Sequence, residues 1–314
     1  METDLLIIGA GPAGASLACF LARYGLKGFM ISAAPGTANT PRAHLTNASA
    51  LECLRDIGLW EECERLGYAG ETIMHFRWCE SMGGEEYARN YSWGNGARKS
   101  DYEQASPCHH MDLPQSLLEP VLVKYASTHG FNVRFDTRLL SFRQDERSGR
   151  TICLVQDRLA GTEYEISTKY LFGADGARSV VADQLGLPMT VFPGGGLAFN
   201  IQVEADLSHL MPHRQGNLHW CIRLEKDYPF MCVGRMVKPW NEWLFVFFPK
   251  GPSAPNPERT SEEWRELVKD AIGDASVEVK VLRVSKWMIN EVSADVISKG
   301  NMYALLNTSL FSAN

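Results

Sequence analysis

What the 314-residue chain lacks narrows its function first. No five like charges stand together, no basic tract carries interleaved aromatics, and the net charge is −6. Such a surface offers no field that gathers nucleic acid or an anionic membrane. Nor is there a run of about 18 apolar residues to span a bilayer. The apolar stretch from Leu5 to Ala22 follows Met1-Glu2-Thr3-Asp4, acidic where a signal peptide is basic, and glycines and Pro12 interrupt it. A cytoplasmic protein without a membrane span is expected. The eight cysteines form no C-x-x-C pair and are too sparse for a disulfide scaffold, so reduced, mostly buried thiols are expected. Cys108-His109-His110 has metal-ligating chemistry, but three adjacent side chains do not converge on one ion, and no second ligand pair lies at finger-like spacing. No metal site is expected. Internal repeats and low-complexity tracts are also missing.

What is there begins at the N-terminus. Asp4-Leu5-Leu6-Ile7-Ile8 has no polar alternation, the pattern of a parallel strand buried on both faces. It runs into Gly9-Ala10-Gly11-Pro12-Ala13-Gly14, then small and apolar residues at helical spacing to Tyr24, a stop at Gly25, and a second strand, Gly28-Phe29-Met30-Ile31-Ser32. This strand–turn–helix context makes the three glycines a dinucleotide fingerprint. Gly9 permits the tight turn, Gly11 admits a pyrophosphate to the backbone, and Gly14 lets helix and strand pack closely. The phosphate charge then meets free N–H groups at the positive end of the helix. A purely structural glycine turn is the alternative. The acidic residue that binds a ribose hydroxyl at the end of the second strand is replaced by Ser32, which bonds without charge.

Farther along, helices are expected over about Asn47 to Ile57, Leu113 to His129 and Ser261 to Ile272, the last capped by Thr260 or Ser261. Residues 72 to 106 read as strands and loops of an insertion. Residues 131 to 172 read as short strands leading to Gly173-Ala174-Asp175-Gly176 and a short helix to about Leu185. From Pro193 to Pro249 aromatics sit among β-favouring residues, as in a mostly antiparallel sheet, and Val277 to Trp287 adds a strand. Most of these rings belong to the core; Trp240 and Trp243 are candidates to line a pocket.

Three further patches, Thr40-Pro41-Arg42-Ala43-His44, Asp112-Leu113-Pro114-Gln115 and Gly173-Ala174-Asp175-Gly176-Ala177-Arg178-Ser179, follow the glycine turn in order. Together the four resemble group A FAD-dependent aromatic monooxygenases, in particular the phenol and chlorophenol hydroxylase branch with its fungal polyketide-tailoring members. The resemblance runs to about residue 300. It implies an α/β fold, a Rossmann-like FAD-binding domain of the p-hydroxybenzoate hydroxylase type with an inserted, mostly antiparallel substrate sheet. Residues 1–75 and 107–188, with 288–314 as an incomplete return, would form the FAD part, and residues 76–106 and 189–287 the substrate part. It implies FAD as cofactor, NADPH or NADH as co-substrate, and O2 and a phenolic ring as reactants joined through a flavin hydroperoxide. It leaves room for a homodimer.

By the same resemblance Arg42 would contact FAD, Gln115 would reach the ribityl chain, and Asp175 would bind the ribityl or pyrophosphate portion and support NADPH use, with Gly176 allowing close backbone approach. Plainer roles remain for each: a surface ion pair, a helix cap and a turn. His44 is the catalytic candidate, since an imidazole titrating near working pH takes a phenol proton; the alternative is a histidine that bonds the backbone of the flavin loop. The sequence departs from the family at Ala182, where an arginine is common, and shows no match for the basic and aromatic side chains that assist some phenol hydroxylases, where Phe245 and Phe247 stand. After Asn301-Met302-Tyr303-Ala304-Leu305 the family's Gly-Asp flavin motif does not follow. A truncated form with weakened FAD binding is therefore expected. A flavin- or NAD-dependent dehydrogenase on the same fold, and a non-catalytic nucleotide- or partner-binding remnant, stay open as other readings.

Overall fold

The computed structural model describes residues 1–41, 43–92, 99–223, 231–248 and 259–305. Its first sheet grows outward from the strand Glu2–Ile8, which lies parallel between Glu163–Gly173 and Gly28–Ile31, registering Leu6 with Leu171 and with Phe29. Phe131–Arg134 extends the sheet in parallel on one side and Met302–Ala304 on the other. The unbroken apolar run of the first strand has a direct cause. Leu5 and Ile7 pack with Met30 against the helices Pro12–Arg23 and Gln115–Thr128, while Leu6 and Ile8 face Leu139, Cys153, Val155 and Val181 on the opposite side. A strand covered on both faces needs no polar alternation. Seven of the eight cysteines are buried; Cys53 is exposed.

The second sheet has seven strands, in the order Lys280–Ala294, Met189–Glu204, Glu242–Phe248, Met231–Lys238, Leu218–Ile222, His75–Cys79 and Glu86–Tyr91. All neighbours are antiparallel except Leu218–Ile222 with His75–Cys79. Strand alternation gives this sheet two unlike faces. Ile201, Val203, Trp243, Phe245 and Phe247 pack on Trp264, Val268, Ala271 and Ile272 of the helix Ser261–Ile272. That helix begins with a reciprocal capping box, Thr260 with Glu263, and ends at Gly273 with φ 80°. The opposite face carries Asn200, Gln202, Leu244, Arg235, Arg283 and Ser285, cross-strand partners in register.

The sequence-based expectations need correction at three points. Trp243 is fully buried under the Ser261–Ile272 helix and donates its indole N–H to Trp240 O at 3.0 Å, and Trp240 packs on the same core. Neither lines the open face: Trp243 follows the odd-numbered positions of Glu242–Phe248, which turn toward the helix, and Trp240 packs on the core from the turn before that strand. Lys99–Ala105 is a helix inside the stretch read as strands and loops. The strand expected to end at Trp287 continues to Ala294, held by pairing with Met189–Phe192.

Candidate functional site

The glycine turn sits where the first sheet's strands end. Gly9 has φ 107° and donates its N–H to Ile31 O at 2.7 Å; a Cβ there would lie 2.1 Å from Ala174 O. A Cβ at Gly14 would lie 2.0 Å from Gly9 O. Both glycines are therefore required by backbone against backbone, and Ala174, held by its N–H to Ile8 O at 2.7 Å, is the element they accommodate. Gly11 differs. A Cβ there would meet nothing nearer than Glu119 Oε1 at 3.9 Å, and Gly11 caps the Pro12–Arg23 helix with no side-chain cap bond and no acidic residue in the first turn. An open cradle at the positive end of a 12-residue helix fits a diphosphate.

The other expected cofactor residues, Arg42 aside, stand as follows. Ser32 follows the strand Gly28–Ile31; its Oγ accepts from Ala34 N at 3.3 Å, and its carbonyl accepts from Thr137 N at 2.9 Å. Asp175 follows Ala174 directly. Its carboxylate accepts from Ser179 Oγ at 2.5 Å, Val180 N at 2.7 Å and Val181 N at 3.3 Å, so its charge holds the N-terminus of the helix Val180–Leu185. Gly176 takes φ 79° with open space where a Cβ would stand. Gln115 is the first residue of its helix; its N–H donates to Ala43 O at 2.7 Å and its Nε2 to Glu119 Oε1 at 2.5 Å. Arg42 lies outside the described residues, between Pro41 and Ala43.

His44 is buried, and its Nδ1 lies 2.8 Å from Asp112 Oδ2. Local structure explains the pair: Leu45–Thr46 forms a two-residue antiparallel ladder with Met111–Asp112, and Leu113 N–H donates to His44 O at 2.6 Å. Arg235, from the middle of the second sheet, is buried beside them and donates through Nη2 to Pro41 O. Burial and then the Arg235 charge hold the imidazole below its ordinary pKa, against the opposing pull of Asp112. Desolvation brings the Arg235 guanidinium down to about 10. The ring is thus neutral near pH 7, with the proton on Nδ1 toward the carboxylate and Nε2 as acceptor. Asp112 Oδ1 is buried and meets no donor among the described residues.

Above this trio the loop that carries Thr40 and Pro41 faces Asn200, Gln202, Arg283 and Ser285 across a narrow cleft. Arg283 Nη1 donates to Asn39 Oδ1 at 2.7 Å and closes one end of it. Sequence reasoning gave no role to Asp112, Glu119 or Arg235. It had found no basic side chain in the sheet to assist a phenol, yet Arg235 is the lone charge in the buried run Cys232–Val237, a signal visible in the sequence. Glu119 carried a similar signal: a carboxylate four residues after Gln115, amid apolar helix positions.

A family model described as FAD binding domain matches residues 2–304. The chain belongs to that family. This FAD binding domain is 39% identical over 308 residues to the 2,4-dichlorophenol 6-monooxygenase of Delftia acidovorans, covering 97% of this chain and 52% of that protein. It is 40% identical over 304 residues to the phenol 2-monooxygenase of Pseudomonas sp. (strain EST1001), covering 96% and 48%. Among solved structures it is similar to the flavin-dependent monooxygenase PieE in complex with FAD and substrate, with a TM-score of 0.90, 34% identity and coverage of 97% of this chain and 52% of that one. The chain spans about half the length of the curated relatives it matches. The fold expected from sequence, a Rossmann-like FAD-binding domain with an inserted, mostly antiparallel sheet, holds.

Proposed function

We propose that this chain is the flavin- and substrate-binding part of an NAD(P)H-consuming hydroxylase of phenolic rings. The observation that carries the reading is the buried His44–Asp112 pair beside Arg235, set between the flavin loop and the open face of the second sheet. The glycine turn at Gly9, Gly11 and Gly14 takes the FAD diphosphate, with Ser32 on the adenosine side and Arg42, Gln115, Asp175 and Gly176 on the flavin side. Asp175 acts there through the turn its carboxylate holds, which sets the backbone beside Gly9. Residues 1–75, 107–188 and 288–314 serve the cofactor, and 76–106 and 189–287 the substrate; the separate strand sets of the two sheets support this division except at its last boundary, where the second-sheet strand Lys280–Ala294 runs past residue 287.

Bound FAD supplies the electrons taken from NAD(P)H and the activation of O2. The protein's part is proton handling and placement. His44 Nε2 accepts the phenol proton, Asp112 fixes the ring by accepting from Nδ1–H, and the Arg235 charge favours the phenolate that results. A phenolate ring carries more electron density at its ortho and para carbons than a phenol, which is what an electrophilic oxygen donor requires. Burial of His44, Asp112 and Arg235 keeps this exchange away from bulk water. Relatives named as dichlorophenol and phenol monooxygenases favour this reading over a dehydrogenase on the same fold. The same reading leaves room for a homodimer and has the chain act in the cytoplasm. No helix among the described residues is long and apolar enough to cross a membrane.

The test is phenol-stimulated NAD(P)H oxidation with product analysis. His44→Ala is expected to keep FAD and lower kcat by about a hundredfold or more, with loss of the acidic limb of the kcat/KM profile. Full hydroxylation by that variant removes His44 from the mechanism.

A further inference from the structure

Glu119 is a buried carboxylate on an otherwise apolar face of the Gln115–Thr128 helix, and the proton handling above makes no use of it. Three segments of the cofactor cradle meet at this one side chain. Its Oε1 accepts from Gln115 Nε2 at 2.5 Å and its Oε2 from Ala38 N at 2.5 Å, in the loop leading to Thr40 and Pro41. Oε1 also stands 3.9 Å from where a Cβ of Gly11 would be, making it the nearest described group to the open cradle. A carboxylate accepts and does not donate, so its neighbour cannot turn round: Gln115 must give it the NH2 group. The amide oxygen is then fixed on the opposite edge.

We infer that Glu119 is a positioning residue that locks the Gln115 amide with its oxygen toward the cofactor, so that the site selects a ligand offering a hydroxyl donor there, as the flavin's polyol chain does. The inference rests on the reading that the glycine turn takes FAD. It makes a specific claim about polarity. In Glu119→Gln the Ala38 N–H still needs an acceptor and claims the new side-chain oxygen, leaving the new NH2 aimed at residue 115. Gln115 must then reverse and present its own NH2, so the ligand hydroxyl has to accept there and loses the acceptor for its own proton. Exchanging the two residues, Gln115→Glu with Glu119→Gln, keeps one carboxylate in the site and again sets an acceptor toward the ligand. Gln115→Glu alone opposes two carboxylates.

The experiment is titration of the flavin-free full chain with FAD, read by fluorescence, together with thermal melts of each apo-protein. Glu119→Gln is expected to weaken FAD by about tenfold and the exchanged pair to regain most of that loss, with Gln115→Glu alone weaker than either. Glu119→Gln binding FAD as tightly as the parent overturns the inference. So does an exchanged pair no better than the single Glu119→Gln variant, which leaves Glu119 only its bond to Ala38. Where Glu119→Gln lowers the melting temperature, Glu119→Asp is the companion: it keeps the acceptor character but retracts it, and FAD affinity no better than that of Glu119→Gln is expected, while parental affinity overturns the proposal. A parent chain that takes up no FAD at all sinks the cofactor reading and this inference together, whereas a parent that binds FAD and variants that match it sink this inference alone.

Discussion

The glycine turn and the His44 trio are built by opposite means. At the turn, backbone packs on backbone, and Gly9 and Gly14 leave no room for a side chain. At the trio, three ionisable side chains from residues 44, 112 and 235 are buried together, with His44 Nδ1 on the Asp112 carboxylate and the Arg235 charge beside the ring. The first kind of site admits no side chain at Gly9 or Gly14 and is indifferent to pH. The second admits replacements of the same shape and loses its chemistry through small changes of charge. Binding a cofactor that stays through turnover suits the former, and moving a proton on each cycle suits the latter.

The largest effect that breaks this comparison is expected at Gly9. Gly9→Ala combines a positive φ with a 2.1 Å approach to Ala174 O, and should cost about 4 kcal/mol or more, or abolish folding. Chemical denaturation measures it, and a Gly9→Ala protein of parental stability ends the backbone-built account. At the trio, Asp112→Ala leaves Arg235 buried without its nearby carboxylate and should cost about 4 kcal/mol. Asp112→Asn keeps the shape and should fold better than Asp112→Ala while losing the pull that orients His44.

Acid sharpens the contrast. His219 is fully buried in the second sheet, with its ring bonded to Arg214 O at 2.7 Å, and desolvation brings its pKa down to about 4. His44 is displaced in the same direction. Between that folded value and the ordinary 6.5 the unfolded chain binds the extra proton, so stability is complete above pH 6.5 and drains away as the pH falls toward 4. His219 alone accounts for about 3 kcal/mol of that loss. Denaturant midpoints at pH 7, 5.5 and 4.5 should fall steadily, and a flat profile contradicts the neutral histidines. The smallest effect is the most diagnostic. Gly11→Ala should leave stability within about 0.5 kcal/mol, since its φ is −73° and the space is open, yet weaken FAD. Loss of stability there would mean the cradle serves packing rather than a ligand.

The turn was legible in the sequence because its demands are local: positive φ and close approach each require glycine within a six-residue stretch that follows an apolar strand. The helix Ser261–Ile272, with its cap expected at Thr260 or Ser261, was legible for the same reason. The trio was not, because its members lie up to 191 residues apart and meet only when the second sheet closes over the flavin loop. His44 could be singled out only through the family resemblance. Trp243 was misplaced because period-two alternation shows that a strand has two faces without saying which one a helix will cover.

The two guanidiniums that reach across from the second sheet, Arg235 to Pro41 O and Arg283 to Asn39, have a consequence for assembly. A fragment ending before residue 189 retains every glycine of the nucleotide turn but leaves the 39–41 loop without either tether. Both tethers come from chain made 194 and 244 residues after the positions they hold, so the placement of that loop depends on the second sheet having formed.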